Sequence, residues 1–301
     1  MKEIISKRAL VTGASGFIGS CLVDKLVAEG WNVSTLGRQS KRYLDYQNTN
    51  INITSYLIDN DDNFEKIFDA AKPDLVFHCA SLTPQYSMNL TPKDFINSNI
   101  LFGSNILSAM AKNNIKNFIN LGSYWEHYNN EIYNPVDFYA ATKNAFSRII
   151  KYYSNVYEMR SSTLELYDVY GAKDNRGKII ETLFNYAKNG KELNMTSGLQ
   201  KLNFVYISDV VEGLLFLANM ILEEEVDLNE TYALRSNEVF SLKEAVEIIE
   251  RISNKKIKVN WGSVEYKSRT IMKPPNVTKA LPGFETKISF NEGLKIIYKS
   301  I

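Results

Sequence analysis

The sequence predicts an α/β protein, with a Rossmann-type, doubly wound parallel sheet followed by a smaller C-terminal lobe. Short apolar runs alternate with helical patterns through the first half of the chain. Strands separated by helices form βαβ units, whose strands run parallel with helices on both faces. The first apolar run leads directly into a glycine-rich stretch, VTGASGFIGS. The length of 301 residues accommodates one large α/β domain or two modest ones.

The main sheet is predicted within residues 1–170. Its strands are expected at RALVTG, WNVSTLGR, INITSYLID, DLVFHCAS, NFINLGS and SSTLELYDVYG, where apolar residues cluster between turn signals. Its helices are expected over Phe17–Glu29, at DNFEKIFDAAKP, over Asp94–Asn113 and over Phe138–Tyr157.

The pattern loosens over residues 171–301. Helices are predicted at RGKIIETLFNYAKNGKEL, SDVVEGLLFLANMIL, SLKEAVEIIERISN and FNEGLKIIYKSI, and short strands within NMTSGLQKLNFVYI. Ser241 and Glu244 have the spacing of a capping box at a helix start. We interpret this part as a mixed α/β lobe packed on the first sheet, and this interpretation allows for a chain crossover between the two.

The composition excludes several classes of partner. The net charge is +1, so no overall field draws the chain to nucleic acid or to an anionic membrane. No apolar run is long enough to span a bilayer, and the first residues have no signal-peptide core. Two cysteines, Cys21 and Cys79, make no disulfide framework and have no metal-ligand spacing with the two histidines. We expect a cytoplasmic protein without a metal site.

The glycine-rich stretch predicts a dinucleotide site. Gly13 would provide the tight turn, Gly16 a close approach of the pyrophosphate, and Gly19 close packing of helix against sheet. The free N–H groups at the start of the helix would face the phosphates. The cofactor-binding residues expected here are Gly13, Ser15, Gly16, Phe17, Ile18 and Gly19. The alternative is a glycine-rich loop that binds nothing.

The end of the second strand selects the cofactor. An acid there would hold the ribose hydroxyl of NAD, but the sequence is TLGRQSKR, and Arg38 stands where a 2′-phosphate would lie. A guanidinium can clamp that phosphate. We therefore predict NADP(H), with NAD(H) as the alternative, and residues 1–170 as its binding domain. The cations could instead be solvated surface groups. Asp59 is expected to bind the adenine amino group or to be a plain turn residue.

Several stretches, in order along nearly the whole chain, resemble the extended short-chain dehydrogenase/reductases, the NAD-dependent epimerase/dehydratase family. They are TGASGFIG, HCAS with Ala80 near the cofactor, NSNILFGSNIL, Ser123 after a strand, YAATK, YDVYGAKDNR and NFVYISDVV. This family acts mostly on nucleotide sugars. Through TSGLQ and the run 164–176, the chain is most similar to the enzymes that make CDP-linked 3,6-dideoxyhexoses, the CDP-abequose and CDP-paratose synthases.

The resemblance implies a catalytic group of Ser123, Tyr139 and Lys143. Tyr139 would exchange the proton, Ser123 would orient the sugar carbonyl, and Lys143 would also bind the nicotinamide ribose. A spacing of four puts Tyr139 and Lys143 on one helix face. A nearby ammonium lowers the pKa of a phenol from about 10. Otherwise Tyr139 is a half-buried anchor and Lys143 a solvated cation.

The residues after Ser123 bear on the type of reaction. The 4,6-dehydratases of this family carry an Asp-Glu pair there, whereas this chain has Tyr124 and Trp125, which disfavours a dehydratase. Trp125 would line the sugar pocket or pack on the helix below. His78 is expected to be a packing residue.

The substrate contacts depart from the family pattern. Many relatives carry an Arg-Asp pair before the strand FVYI, and its Arg holds the nucleotide diphosphate; here the pair is Leu202-Asn203, so Lys201 is expected to reach the phosphates instead. Arg269 aligns roughly with a second diphosphate-binding Arg of the family, and is the other predicted substrate-binding cation.

The resulting expectation is an NADPH-dependent reductase. It would reduce the C4 keto group of a nucleotide-linked 6-deoxy- or 3,6-dideoxy-4-hexulose, in deoxysugar biosynthesis for a surface polysaccharide such as O-antigen. The alternatives are a 4-epimerase or dehydrogenase with tightly bound NAD, and a non-catalytic NADP(H)-sensing regulator. By analogy with the family, we expect a homodimer.

Overall fold

A computed structural model of the chain describes residues 6–37, 52–58, 64–84, 89–227 and 229–301. The strands of the main sheet are β1 Arg8–Thr12, β2 Asn32–Gly37, β3 Ile53–Leu57, β4 Leu75–His78, β5 Asn117–Ser123, β6 Arg160–Leu166 and β11 Glu230–Leu234. The shorter strands are β7 Asp168–Tyr170, β8 Glu192–Met195, β9 Lys201–Leu202, β10 Phe204–Tyr206, β12 Phe240–Ser241 and β13 Lys258–Trp261.

The helices match the predicted positions closely. They are α1 Phe17–Ala28, α2 Phe64–Ala71, α4 Phe138–Tyr157, α5 Ile179–Asn189, α6 Ile207–Leu222, α7 Leu242–Ser253 and α8 Phe290–Ser300. The remaining helix, α3, runs as Pro92–Ile96, a π-helical turn Asn97–Leu101 and Phe102–Lys112. Ser241 and Glu244 form the predicted capping box at α7.

The main sheet has seven parallel strands in the order β11-β6-β5-β4-β1-β2-β3. The order reverses direction between β1 and β4, which is the position where open α/β sheets bind ligands. The predicted Rossmann-type fold class is confirmed.

Apolar side chains cover both faces of this sheet. Along β1, Ala9 and Val11 join one buried cluster, while Leu10 joins a second cluster with Phe118 and Phe146. Parallel strands buried on both faces carry nearly continuous apolar runs, which is why the strand segments could be located from the sequence.

The predicted sixth strand is wrong in one respect. The run SSTLELYDVYG forms two strands, and β7 leaves the main sheet to pair with β10. The break falls at Tyr167, which stacks on Tyr124 with ring centroids 4.8 Å apart and donates a hydrogen bond to the Pro275 carbonyl. These long-range contacts turn the chain where local propensity favours one continuous strand.

The C-terminal part contributes to the main sheet. β11 pairs with β6 from Glu230 opposite Ser162 to Leu234 opposite Leu166. The edge strand of the sheet therefore comes from the segment after residue 171. Within the ranges given above, no helix is both long and apolar enough to cross a bilayer.

Candidate active site

A cleft of about 1070 Å³ opens at the carboxyl ends of the parallel strands. It is lined by the turn after β1, the segment after β4, the end of β5 and the first turns of α4. The predicted site residues that line it are Gly13, Ser15, Gly16, Phe17, Ile18, Gly19, Ala80, Ser123, Trp125, Tyr139 and Lys143. The fold thus brings the glycine turn and the predicted catalytic group into one cavity.

The glycine turn leaves no room for side chains. Gly13 has a φ of +67°, and a Cβ there would lie 2.6 Å from the backbone nitrogen of Ala80. A Cβ on Gly19 would lie 2.2 Å from the Gly13 carbonyl oxygen, and the Gly16 N–H donates to that oxygen over 2.9 Å. The helix then starts at Phe17, with its free N–H groups at the cleft. This cradle fits the diphosphate of a dinucleotide.

Arg38, on which the choice between NADP(H) and NAD(H) depends, and Asp59, the predicted adenine contact, lie outside the described residues. The other cations of the TLGRQSKR stretch, Lys41 and Arg42, also lie outside them. NADP(H) in preference to NAD(H) therefore stays a prediction.

Ser123 and Tyr139 reach each other across the cleft. Ser123 ends β5, and α4 begins after Asp137, whose carboxylate accepts the Ala140 N–H over 2.9 Å. Burial and the charge of Glu126 raise the pKa of the Tyr139 phenol, and hydrogen bonds from Ser123 and Ser81 lower it. Together these effects raise the pKa of Tyr139. The surroundings therefore do not favour the lowered pKa that was expected from the nearby Lys143. Tyr139 is held as the protonated phenol.

Lys143 lies one turn after Tyr139 and is only 3% exposed. Burial lowers the pKa of its ammonium, while the nearby charge of Glu126 opposes this effect. It is not a solvated surface cation.

Trp125 and Tyr124 form the other wall beside this group. The Trp125 ring meets Tyr139 edge-on, with centroids 6.3 Å apart. The Tyr124 hydroxyl donates to the carboxylate of Asp168, with oxygen distances of 3.1 and 3.2 Å. The position that carries an acid in dehydratases is therefore occupied by a phenol already bound to a carboxylate.

The two predicted substrate cations, Lys201 and Arg269, are not among the described residues that line the cleft. Arg269 donates to the Pro135 carbonyl over 3.1 Å and to the side chain of Asn134, and its guanidinium covers the Tyr128 ring. Lys201 is exposed on β9. Their role in substrate binding remains a prediction.

His78 is a packing residue, as its place at a strand end suggested. Its Nδ1 lies 2.9 Å from Thr12 Oγ1, and its ring contacts three phenylalanines. Burial is the main cause that lowers the pKa of His78 to about 3. Burial also raises the pKa of the neighbouring Cys79 thiol to about 12. In the described part of the chain, no three His, Cys, Asp or Glu side chains group as metal ligands.

A model of the NAD dependent epimerase/dehydratase family matches residues 9–232. The chain belongs to this family. It is accordingly an NAD(P)-dependent enzyme of oxidoreductase type.

Curated members of the family align with almost the whole chain. A CDP-abequose synthase of Yersinia pseudotuberculosis is 29% identical over 89% of this chain and 91% of its own length. A UDP-glucuronate 4-epimerase of Thermodesulfobacterium geofontis is 25% identical over 95% of this chain and 93% of its own.

Solved structures share the fold. A UDP-N-acetylglucosamine 4-epimerase from Methanobrevibacter ruminantium superposes with a TM-score of 0.84 at 23% identity, covering 98% of both chains. A UDP-glucose 4-epimerase from Thermotoga maritima has a TM-score of 0.82 at 22% identity, covering 97% of this chain and 98% of its own.

Two cations in the cleft of this family member were missed from the sequence. Arg176 and Lys178 line it, and the Arg176 guanidinium lies 4.4 Å from the ring centre of Phe17, the first residue of α1. Asp174 accepts two hydrogen bonds of 2.6 Å from Arg176. A signal was present, because YDVYGAKDNR was already singled out for its likeness to the family.

Proposed function

We propose that the protein reduces the C4 keto group of a nucleotide-linked 6-deoxy- or 3,6-dideoxy-4-hexulose with NADPH. One observation carries this proposal: a single cleft joins the glycine turn to Ser123, Tyr139 and Lys143. The phenol beside that cleft is kept protonated by burial, which suits a proton donor. The alignment with a CDP-abequose synthase over most of both chains supports the substrate class.

The cofactor would lie along the glycine turn. When bound, the nicotinamide supplies a hydride. Backbone groups of Gly13, Ser15, Gly16, Phe17, Ile18 and Gly19, with Ala80 opposite, would hold the diphosphate, and Arg38 would select the 2′-phosphate of NADP(H) over NAD(H). Asp59 would bind the adenine.

The side chains of the chain itself would manage the proton. Ser123 orients the sugar carbonyl by donating its hydroxyl hydrogen, and Tyr139 delivers the proton to the carbonyl oxygen. Lys143 stabilises the phenolate that remains and binds the nicotinamide ribose. Trp125 packs against the sugar, and Lys201 and Arg269 bind the nucleotide diphosphate. Arg176 and Lys178, which line the cleft, are two further cations available to the same diphosphate.

A 4-epimerase with tightly bound NAD is the second candidate. The observation that favours it is the set of 4-epimerases among the structures and relatives of the same fold. A reductase consumes its cofactor stoichiometrically, whereas an epimerase returns it unchanged, so cofactor turnover separates the two.

The test follows nicotinamide absorbance with purified protein and a CDP- or dTDP-linked 4-keto-6-deoxysugar made in situ by a dehydratase. We expect rapid loss of NADPH and little loss of NADH. A changed sugar isomer by NMR with no net cofactor loss would favour the epimerase. A Tyr139→Phe variant that binds NADPH and keeps the biological function of the wild type would indicate the non-catalytic NADP(H)-sensing regulator.

We also propose a homodimer in the cytoplasm. α3 and α4 expose apolar side chains at Leu101, Tyr152 and Val156, each more than half exposed, and such surface favours contact with a second copy. Light scattering of the purified protein tests this, and Val156→Lys is expected to give monomers.

A further inference from the structure

Charged side chains lie buried behind the catalytic group. Glu126 is 3% exposed, Glu165 4% and His127 6%. Burying an ionised group is unfavourable, because it loses its hydration, unless it is well paired. Their position directly behind Ser123 and Lys143 therefore calls for a function.

Glu126 joins the two elements that carry the catalytic side chains. It ends the short 3₁₀ turn Tyr124–Glu126 that follows β5. One carboxylate oxygen accepts the backbone N–H of Ser123 over 3.0 Å, and the other accepts Asn144 Nδ2 over 3.4 Å. Since Asn144 follows Lys143 on α4, the carboxylate spans from β5 to the helix of Tyr139.

A glycine makes room for this arrangement. Gly122 lies opposite Glu165 in the strand register, and a Cβ on Gly122 would lie 2.9 Å from Glu165 Cγ and 3.5 Å from Glu126 Oε1. His127 Nε2 bonds one oxygen of Glu165 over 2.9 Å. The other oxygen of Glu165 is buried without a hydrogen-bond partner among the described residues.

Burial and the surrounding charges act on Glu126 in opposite directions, with a net rise in its pKa. Burial and Glu165 raise the pKa of Glu126, and Lys143 and His127 lower it. Ionised Glu126 in turn raises the pKa of both Tyr139 and Lys143. The other groups that face this pair are Asp137 beside Tyr139 and His78 and Cys79 beside Lys143.

We propose that Glu126 is a positioning residue that fixes Ser123 and keeps Tyr139 and Lys143 protonated, so that Tyr139 is ready to donate. This inference rests on the reduction proposed above. In that reaction the bound cofactor would supply the hydride for the carbonyl carbon, and Tyr139 gives its proton to the carbonyl oxygen. The phenolate is then reprotonated from solvent. The negative charge of Glu126 makes loss of the Tyr139 proton between turnovers unfavourable, and Lys143, which the same charge keeps protonated, offsets its repulsion of the phenolate formed on donation.

The test is Glu126→Gln, with Glu131→Gln as the matched control. Glutamine keeps an acceptor for the Ser123 N–H but removes the charge, whereas Glu131 is an exposed acid on the same loop. The pH profile of kcat is expected to have an alkaline limb, where activity falls as Tyr139 loses its proton. We expect this limb to move to lower pH by about one pH unit in Glu126→Gln and to stay in place in the control. A limb that stays in place in both variants overturns the proposal.

Two further variants distinguish an effect of the Glu126 charge from misfolding and from a purely structural role. Glu126→Asp retains the charge, so its limb is expected near the wild-type position even where kcat falls. Asn144→Ala removes a donor from the carboxylate and is expected to move the limb in the same direction by less. A uniform loss of kcat at every pH in all variants would mean that the residue only supports the fold.

A second readout needs no turnover. Tyrosine isotope-labelled at Cζ, assigned with Tyr139→Phe, reports by NMR the pH at which Tyr139 ionises. If the wild type shows no reductase activity, the proposed function fails and this measurement alone decides. Ionisation at lower pH in Glu126→Gln supports the role of Glu126, and an unchanged profile overturns it.

Discussion

The two histidines lie at the carboxyl ends of neighbouring strands and have opposite surroundings. His78 ends β4, with the rings of Phe102, Phe118 and Phe146 centred within 5.9 Å of its own. His127 follows β5 and bonds a buried carboxylate, Glu165. The side chains packed around the end of β4 are therefore apolar, whereas those around the residues after β5 include buried charge. Under the proposed function, the β4 side of the cleft would bind the cofactor and the β5 side would transfer the proton.

The largest expected effect separates binding from chemistry. Tyr139→Phe removes the proposed proton donor, so we expect kcat to fall by about 10²- to 10⁴-fold. The phenyl ring still fills the space, so NADPH affinity should stay within a factor of a few, as measured by nicotinamide fluorescence. A parallel loss of NADPH affinity would mean that the β5 side also supports binding.

The reverse experiment alters the binding side. Gly13→Ala places a Cβ 2.6 Å from the Ala80 backbone at a φ of +67°. We expect NADPH binding to be lost and the free energy of unfolding to fall by about 1–3 kcal/mol, a typical cost of such strain. Calorimetry measures both NADPH binding and the free energy of unfolding. Gly30→Ala is the control, because the φ of Gly30 is also positive but nothing lies near its added Cβ.

The histidines themselves give opposite pH dependences of stability. Burial lowers the pKa of folded His78 from 6.5 to about 3, so the stability present above pH 6.5 is lost as the pH falls toward 3. His78→Gln should flatten this part of the curve in chemical denaturation. An equally steep loss in His78→Gln would place the titrating group elsewhere.

His127 should give the opposite pH dependence of stability. Its hydrogen bond to Glu165 and nearby acids outweigh burial and raise its pKa. The resulting stability is present at pH values below the unfolded pKa and is lost as the pH rises through the folded value. His127→Asn should therefore destabilise the fold more at acidic than at alkaline pH. Equal destabilisation at both would contradict the charged pair.

The smallest effect concerns the cations. Arg176→Met should weaken binding of NADPH or of the nucleotide sugar by about tenfold, the range for a lost charge-assisted contact. Lys201→Met should change both by less, since Lys201 does not line the cleft among the described residues. A stronger effect of Lys201→Met would support the sequence-based assignment. Isothermal titration of each ligand distinguishes the outcomes.

Local patterns explain why much of the site could be predicted. The glycine spacing, the strand ends and the Tyr139–Lys143 spacing each depend on a few adjacent residues, and all of them meet in the cleft. Arg176 and Glu126 could not be assigned in this way, because their contacts with Phe17 and Asn144 depend on how distant segments pack. The turn at Tyr167 was missed for the same reason.

The place of β11 at the sheet edge has a consequence for dissecting the protein. A fragment ending near residue 170 would keep the glycine turn and the catalytic group but lose the strand that pairs with β6. The backbone N–H and C=O groups along that side of β6 would lose their hydrogen-bond partners. Such an exposed edge is a template for intermolecular strand pairing. Truncation should therefore yield aggregates in which the proposed cofactor site cannot be studied alone.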